Sequence, residues 1–178
     1  AAARYNCGNA LSREGRIDEA IEEYEKAIGK DEGYIDAYLN LGVALAAKGR
    51  FAEAAFQFEK VLQLDPSNQL ARLNLQKANQ QRARLDSTII DIQNKLTVSP
   101  GDHTLLTKLG DLYKDGGNPQ RAIESYCAAL SRKPGHLPAM YGIAMVYYLT
   151  GTYDLAIKSM KEIIERYPDN ADMYYNLG

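Results

Sequence analysis

Apolar and small residues recur along the chain at helical spacing. Between residues 17 and 28, Ala20, Tyr24, Ala27 and Ile28 fall on one face of a helix. No segment sustains the apolar–polar alternation of a half-buried β-strand. This pattern predicts an all-α protein.

The pattern repeats every 34 residues in four columns of identical residues. The columns are Pro66, Pro100, Pro134 and Pro168; Gly8, Gly42, Gly110 and Gly178; Gly15, Gly49, Gly117 and Gly151; and Ala20, Ala54, Ala122 and Ala156. A fixed period of this length indicates a repeat architecture. We therefore predict one array over residues 1–178, with repeats at 1–34, 35–68, 69–102, 103–136 and 137–170 and the start of a truncated sixth repeat at 171–178.

Each repeat is predicted to contain two helices. Gly15 is placed to end the first helix, and Asp18 is placed to cap the second. Gly8 and Ala20 are expected where the two helices cross, because only small residues allow a close approach. The proline columns cannot continue a helix, so they mark the turn into the next repeat.

Residues 69–102 differ from the other repeats, because no glycine and no aromatic residue lies between Pro66 and Pro100. The segment keeps the phase of the period, which favours a degenerate repeat over a flexible linker. Gln76 and Thr88 replace the small residues at the expected helix crossing and should push the two helices apart. Two helices separated at Asp86 are favoured by its capping chemistry, and one continuous helix over about residues 69–97 is the alternative.

The repeat sequences resemble those of the tetratricopeptide repeat family. The resemblance is carried by segments such as "AYLNLGVALAAKGRFAEAAFQFEKVLQLDP" and "LLTKLGDLYKDGGNPQRAIESYCAALSRKP". It implies a right-handed α-solenoid of antiparallel helix pairs, whose first helices line a concave groove. Members of the family typically bind peptides or partner helices in that groove.

The resemblance also implies which residues line the groove. The candidate contacts are Tyr5, Asn6, Asn9, Leu39, Asn40, Val43, Asn74, Lys77, Lys108, Asp111, Tyr141, Met145, Tyr148 and Tyr175. Tyr5, Leu70 and Asn74 stand where the subgroup that binds chaperone tails has cationic residues, so capture of a terminal carboxylate is not expected.

Asn6, Asn40 and Asn74 occupy one column of the groove, which Lys108 and Gly142 interrupt. Because a carboxamide offers both a donor and an acceptor, such a column could hold a peptide backbone in register. The alternative is that asparagine is simply common at this position of the repeat.

Tyr141, Met145 and Tyr148 form the most apolar zone of the predicted groove. Exposed aromatic residues of this kind are typical anchors for a partner. The alternative is that the rest of a sixth repeat, or a later segment, covers them.

The charge and composition of the chain limit the classes of partner that it is expected to bind. The formal net charge of −2 argues against nucleic acid, because phosphate contacts need clustered lysine and arginine. No apolar run is long enough for direct membrane insertion. Protein or peptide partners are therefore expected, and a homo-oligomer through an exposed end of the array is possible.

Two cysteines, Cys7 and Cys127, belong to no spaced motif and are predicted to be small core residues of a reduced protein. This favours the cytoplasm, although the absence of an initiator methionine suggests a fragment of a longer chain.

Catalysis is not expected. His103 and His136 are interpreted as single residues at repeat boundaries, which suggests neither a metal pair nor a triad. No cofactor motif is present, and the glycines of "KDGGNPQRA" lack phosphate-loop spacing. The leading hypothesis is an interaction scaffold that captures a peptide or helix; the alternatives are a self-assembly module and the substrate-recruiting region of a larger enzyme.

Overall fold

A computed structural model describes residues 1–168, and these residues form α-helices without any β-strand. The helices are α1 (Ala2–Arg13), α2 (Ile17–Ile28), α3 (Ile35–Ala47), α4 (Phe51–Leu64), α5 (Gln69–Val98), α6 (His103–Asp115), α7 (Pro119–Arg132), α8 (Leu137–Leu149) and α9 (Tyr153–Arg166). Short turns join α1 to α2, α3 to α4, α6 to α7 and α8 to α9, and the helices of each pair pack together. The predicted all-α fold of antiparallel helix pairs is confirmed.

The chain divides into two compact units. The N-terminal unit, residues 1–86, contains α1 to α4 and the first part of α5, and its core includes Tyr24, Leu45 and Phe58. The C-terminal unit begins at Ser87, and one of its cores is centred on Tyr126 and Val146. Each unit therefore has its own apolar core.

An aromatic ring packs against a glycine inside three of the helix pairs. A Cβ atom added to Gly8 would lie 2.6 Å from the ring of Tyr24. The same substitution at Gly42 would meet Phe58 at 2.6 Å, and at Gly110 it would meet Tyr126 at 2.5 Å. The close crossing predicted at Gly8 is therefore present, but the group that approaches the glycine is the ring of Tyr24, whereas Ala20 was expected.

The turn between α1 and α2 uses backbone geometry and not the predicted side-chain cap. Gly15 adopts a φ of 78°, in the left-handed region that glycine tolerates best, and ends the turn after α1 as predicted. The prediction that Asp18 caps α2 is wrong. The tight turn starts α2 at Ile17, so Asp18 lies inside the first helical turn, and its Oδ2 accepts a hydrogen bond from Nζ of Lys48 at 2.9 Å.

The prediction of two helices separated at Asp86 is also wrong, because α5 is one continuous helix of 30 residues. A turn of the kind made by Gly15 needs a residue that adopts positive φ readily, and the corresponding position here is Ala83. Gln76 and Thr88 are too large for the close crossing seen in the other pairs. Asp86 lies inside the helix with a carboxylate oxygen 3.8 Å from Nε of Arg82, one turn earlier.

Both cysteines are exposed, so their predicted place in the core is wrong. Leu41, one repeat after Cys7, is buried against the preceding helix pair. In the described part of the chain, no earlier pair covers the same face of α1. Cys127 directly follows the buried Tyr126 and points to a different side of α7.

No helix in residues 1–168 combines the length and the apolar character that a membrane span requires. The longest, α5, carries charged and amide side chains along its length.

Candidate partner-binding surface

A network of polar side chains joins three helices of the N-terminal unit. Oδ1 of Asn9 on α1 accepts hydrogen bonds from the hydroxyl of Tyr24 at 2.9 Å and from Nδ2 of Asn40 at 2.8 Å. Nδ2 of Asn40 also donates to the hydroxyl of Tyr5 at 3.2 Å. Burial raises the pKa of Tyr24, so its hydroxyl stays protonated and acts as the donor. We call Tyr5, Asn9 and Asn40 the amide site.

Some hydrogen-bonding groups of the amide site are used within the protein, and others are not. Both N–H groups of Asn40 are used, and the oxygen of Asn9 accepts two hydrogen bonds. Within the described residues, Nδ2 of Asn9 and Oδ1 of Asn40 have no hydrogen-bond partner. Both residues are half-buried, and the network holds their side chains in a fixed orientation. The site therefore offers one donor and one acceptor in fixed positions.

A small hollow of about 150 Å³ lies beside Val43, one turn after Asn40 on α3. Asn74, Lys77, Ala78 and Gln81 of α5 line its other side. The structure thus brings together three predicted contacts, Val43, Asn74 and Lys77. Of the other two candidates in this unit, Leu39 is half-buried against the core and Asn6 is exposed on α1.

In the C-terminal unit, Asp111 stands where the N-terminal unit has Asn9. Its Oδ1 accepts a hydrogen bond from the hydroxyl of Tyr126 at 2.7 Å and lies 3.5 Å from Nζ of Lys114. Burial, and then the hydrogen bond to Asp111, raises the pKa of Tyr126. Lys108 is exposed on the same helix.

The interruption of the asparagine column at Gly142 has a packing reason. A Cβ atom at Gly142 would lie 2.4 Å from the ring of Tyr126, which already fills the space beside Gly110. An asparagine at position 142 would therefore collide with the buried ring. In this unit the position serves packing, and the donor and acceptor of the N-terminal unit are not reproduced.

A larger cavity of about 480 Å³ opens between α8 and α9. Tyr141, Met145 and Tyr148, all predicted as contacts, line its α8 side. Tyr153, Ile157 and Met160 line the α9 side, and the ring of Tyr153 meets that of Tyr148 edge-on at 5.8 Å. These three were not predicted, although their place on the inner face of the second helix was a usable signal. The candidate Tyr175 lies outside the described residues.

His103 and His136 are in contact, so their interpretation as single residues is wrong. Their rings meet at a centroid distance of 4.6 Å and an angle of 89°. His103 is the first residue of α6 and His136 immediately precedes α8, and these two helices pack against each other. Residues 1–168 contain no cluster of three or more side chains suited to bind a metal ion. Burial lowers the pKa of His136, and the charges of His103 and Lys133 lower it further.

The lowered pKa of His136 predicts a pH-dependent stability. The folded state disfavours the imidazolium, so the unfolded state binds the proton more tightly, and stability falls as the pH drops from about 6.5 towards the folded pKa. We expect the thermal midpoint to fall more in the wild-type chain than in His136→Gln between about pH 7.5 and 5.5. Differential scanning calorimetry at both pH values measures this difference, and parallel shifts would contradict it.

Comparison with known proteins identifies the family. The sequence model described as "Tetratricopeptide repeat" matches residues 5–69 and 107–171, which together make up more than half of the chain. The chain belongs to the tetratricopeptide repeat family, and its fold is that of a tetratricopeptide repeat helical solenoid. Members of the family generally act as scaffolds that bind proteins or peptides.

Several solved structures are similar to the chain. A crystal structure of MamA is 27% identical, with 93% of this chain and 96% of that chain covered and a TM-score of 0.46. YrrB, described as a TPR protein with an unusual peptide-binding site, is 21% identical, with coverages of 97% and 89% and a TM-score of 0.49. The TPR domain of P58(IPK) is 21% identical, with coverages of 99% and 63% and a TM-score of 0.45. No curated protein sequence matches the chain.

Proposed function

We propose that the chain is an interaction scaffold that binds an extended peptide segment of a partner protein at the amide site. The observation that carries the proposal is the pair of unused groups, Nδ2 of Asn9 and Oδ1 of Asn40. A peptide carbonyl would accept a hydrogen bond from Asn9, and a peptide N–H would donate to Asn40. Binding of this kind depends on the peptide backbone and tolerates many side chains.

The hydrogen bonds inside the amide site support this function. Tyr5 and Tyr24 hold the two carboxamides before any peptide arrives, so little side-chain freedom is lost on binding. A neutral, half-buried donor and acceptor also favour an uncharged peptide backbone over a terminal carboxylate, which would need a cation.

The surroundings of the amide site would add side-chain selectivity. The hollow formed by Val43, Asn74 and Lys77 lies one turn along α3 and has room for a small apolar group of the peptide. Asn6 and Leu39 flank the site on α1 and α3. In the C-terminal unit, Lys108 and Asp111 are candidate polar contacts, and Tyr141, Met145 and Tyr148 are candidate apolar contacts.

Asn40→Ala tests the proposal directly. Peptides are first selected from a random library on the chain of residues 1–178, and their affinities are then measured by fluorescence anisotropy. Asn40→Ala should weaken binding about three- to tenfold, the effect of losing one hydrogen bond together with the orientation of Asn9. Asn79→Ala, at an exposed asparagine of α5, is the matched control and should leave the affinity unchanged.

Methylation of the peptide backbone provides a second readout. A single N-methyl group at the amide that donates to Asn40 should reduce wild-type binding by a similar factor. The same peptide should lose nothing further in Asn40→Ala, because the acceptor is already gone. Equal binding of all peptides by both proteins would show that the amide site is not the contact.

A further inference from the structure

The N-terminal unit carries opposite charges on its first and second helices. The first helices, α1, α3 and residues 69–86 of α5, contain six arginines and lysines and two aspartates. The second helices, α2 and α4, contain seven carboxylates and two lysines. Because the amide site and most of the hollow beside Val43 are built from α1, α3 and α5, positive charge is concentrated on the helices that would contact a peptide.

Most cations of this unit already have partners inside it. Nη2 of Arg72 donates a hydrogen bond to the carbonyl oxygen of Pro66 at 2.8 Å. The ion pairs include Arg4 with Glu23, Lys48 with Asp18, Arg50 with Glu53 and Arg82 with Asp86. These cations are therefore engaged within the unit.

Two cations beside the proposed peptide contacts have no such partner. In the part of the chain that the structure describes, neither Lys77 nor Arg13 has a carboxylate within ion-pair distance, and both side chains are exposed. Lys77 lines the hollow beside Val43. Arg13 lies one turn after Asn9 on α1, and its charge opposes the rise in the pKa of Tyr24 that burial causes, so it lies close to the amide site. Each contact region therefore has an unpaired positive charge beside it.

Asn74 gives the hollow unused hydrogen-bonding groups as well. It occupies the repeat position of Asn40, but Val43 stands where the preceding repeat has Asn9, so no carboxamide bonds to it. Among residues 1–168, the side chain of Asn74 has no hydrogen-bond partner, and it is half-buried. Asn74 and Lys77 are three residues apart on α5, which makes them neighbours on the helix surface. The hollow therefore has N–H donors on one wall and the 48% exposed side chain of Val43 on the other.

We propose that the peptide bound at the amide site carries a glutamate, whose methylene groups pack on Val43 and whose carboxylate binds Nζ of Lys77 and Nδ2 of Asn74. The inference rests on the proposed function, because it names the class of peptide that the amide site takes. A carboxylate has only acceptors, so it suits this set of donors. Asp36, the one carboxylate of α3, lies seven residues before Val43, about 10 Å along the helix, and does not neutralise the hollow.

The spacing of the contacts limits where the glutamate stands in the peptide. Val43 lies three residues after Asn40, about 5 Å along α3, and an extended chain advances about 3.3 Å per residue. The glutamate is therefore expected one or two residues from the peptide amide that donates to Asn40. A second acidic residue on the other side of that amide would meet Arg13.

Selection of peptides, followed by matched substitutions, tests the inference. Short random peptides, acetylated and amidated so that they carry no terminal charge, are selected on the chain of residues 1–178, and glutamate should be enriched among the binders. In fluorescence anisotropy, replacing that glutamate by glutamine should weaken binding about two- to fivefold, as expected for one exposed ion pair. Lys77→Met keeps an apolar stem. It should weaken the glutamate peptide by a similar factor and leave the glutamine peptide unchanged.

Lys30→Met is the matched control for the loss of one positive charge. Lys30 is exposed, has no carboxylate partner among the described residues and does not line the hollow. Its replacement should leave the affinity for both peptides at the wild-type value. Added salt should reduce the difference between the two peptides on the wild-type chain, because Lys77 is exposed.

Reversal of the charge gives the sharpest readout. Lys77→Glu should bind the glutamate peptide more weakly than Lys77→Met does, and it should prefer a peptide with lysine in place of the glutamate. Recovery of affinity in this doubly reversed pair would not arise from altered folding, since the same variant is compared with two peptides.

Three results would overturn the inference: binders without an enrichment of glutamate, equal effects of Lys77→Met and Lys30→Met, or a Lys77→Glu variant that keeps the wild-type preference. Asn40→Ala distinguishes such a failure from failure of the proposed function. If Asn40→Ala weakens binding and the substitutions at Lys77 do not separate glutamate from glutamine, peptide binding at the amide site stands and the inference fails. If the substitutions at Lys77 act as expected and Asn40→Ala has no effect, the hollow recognises glutamate and the amide site is not the backbone contact.

Discussion

Gly142→Ala is expected to destabilise the C-terminal unit by about 2 to 3 kcal/mol. The added methyl group would lie 2.4 Å from a ring carbon of Tyr126. That ring cannot move aside, because it is fully buried, touches Gly110 on another side and is held by Asp111 through its hydroxyl. In an exposed helix, replacing glycine with alanine would stabilise the protein by up to about 1 kcal/mol. A loss of stability in Gly142→Ala would therefore indicate that the methyl group collides with the ring.

Urea denaturation followed by circular dichroism measures the effect. Gly101→Ala is the control, because a Cβ atom there meets no atom within 4 Å, and its unfolding free energy should stay near that of the wild type. A double-mutant cycle with Tyr126→Leu isolates the cause, since Gly142→Ala should cost much less once the ring is absent. An unchanged cost in that background would show that the ring is not the obstacle.

Leu85→Pro is expected to cost about 3 kcal/mol more than Leu85→Ala. Leu85 lies in the middle of α5, so proline removes a hydrogen bond of a continuous helix and clashes with the preceding turn. If a second helix began at this position, proline would stand at its first residue and be tolerated. Pro119, at the same position one repeat later, is the first residue of α7, where proline is tolerated.

Leu85→Ala supplies the control, because it removes the half-buried side chain and keeps the backbone donor. The helical circular dichroism signal and the unfolding free energy are measured for both variants. Leu85→Pro should lose helical signal, whereas Leu85→Ala should keep it. Similar stabilities of the two would contradict a continuous α5.

Much of the fold could be predicted from the sequence, because the repeat is a local signal. The all-α class follows from helical periodicity, and the turn at Gly15 follows from the need for a positive φ. Aromatic residues also recur at one position of the repeat, at Tyr24, Phe58 and Tyr126, but the sequence does not show which residue each ring packs against. Tyr24 contacts Gly8 at a distance that only the crossing of two helices sets.

The candidate site was predicted less completely. The family resemblance predicted that Asn9 and Asn40 line the groove, but it could not show that they bond to each other and leave one donor and one acceptor. The contact between His103 and His136 was missed for the same reason, since it depends on how α6 and α8 pack. Hydrogen bonding between repeats is a property of the assembled helices.

The sequence alone determined the helical class, the period of 34 residues and the family, because glycine, alanine, aromatic residues and proline recur with local consequences for the backbone. Tertiary structure decided that α5 is continuous. Asp86 could cap a second helix, but the segment has no glycine to form the turn and no small residues that would let two helices cross closely. Tertiary structure also decided which equivalent surfaces are covered. Ala3 and Ala37 occupy the same position of the repeat, and only a neighbouring helix makes one of them core.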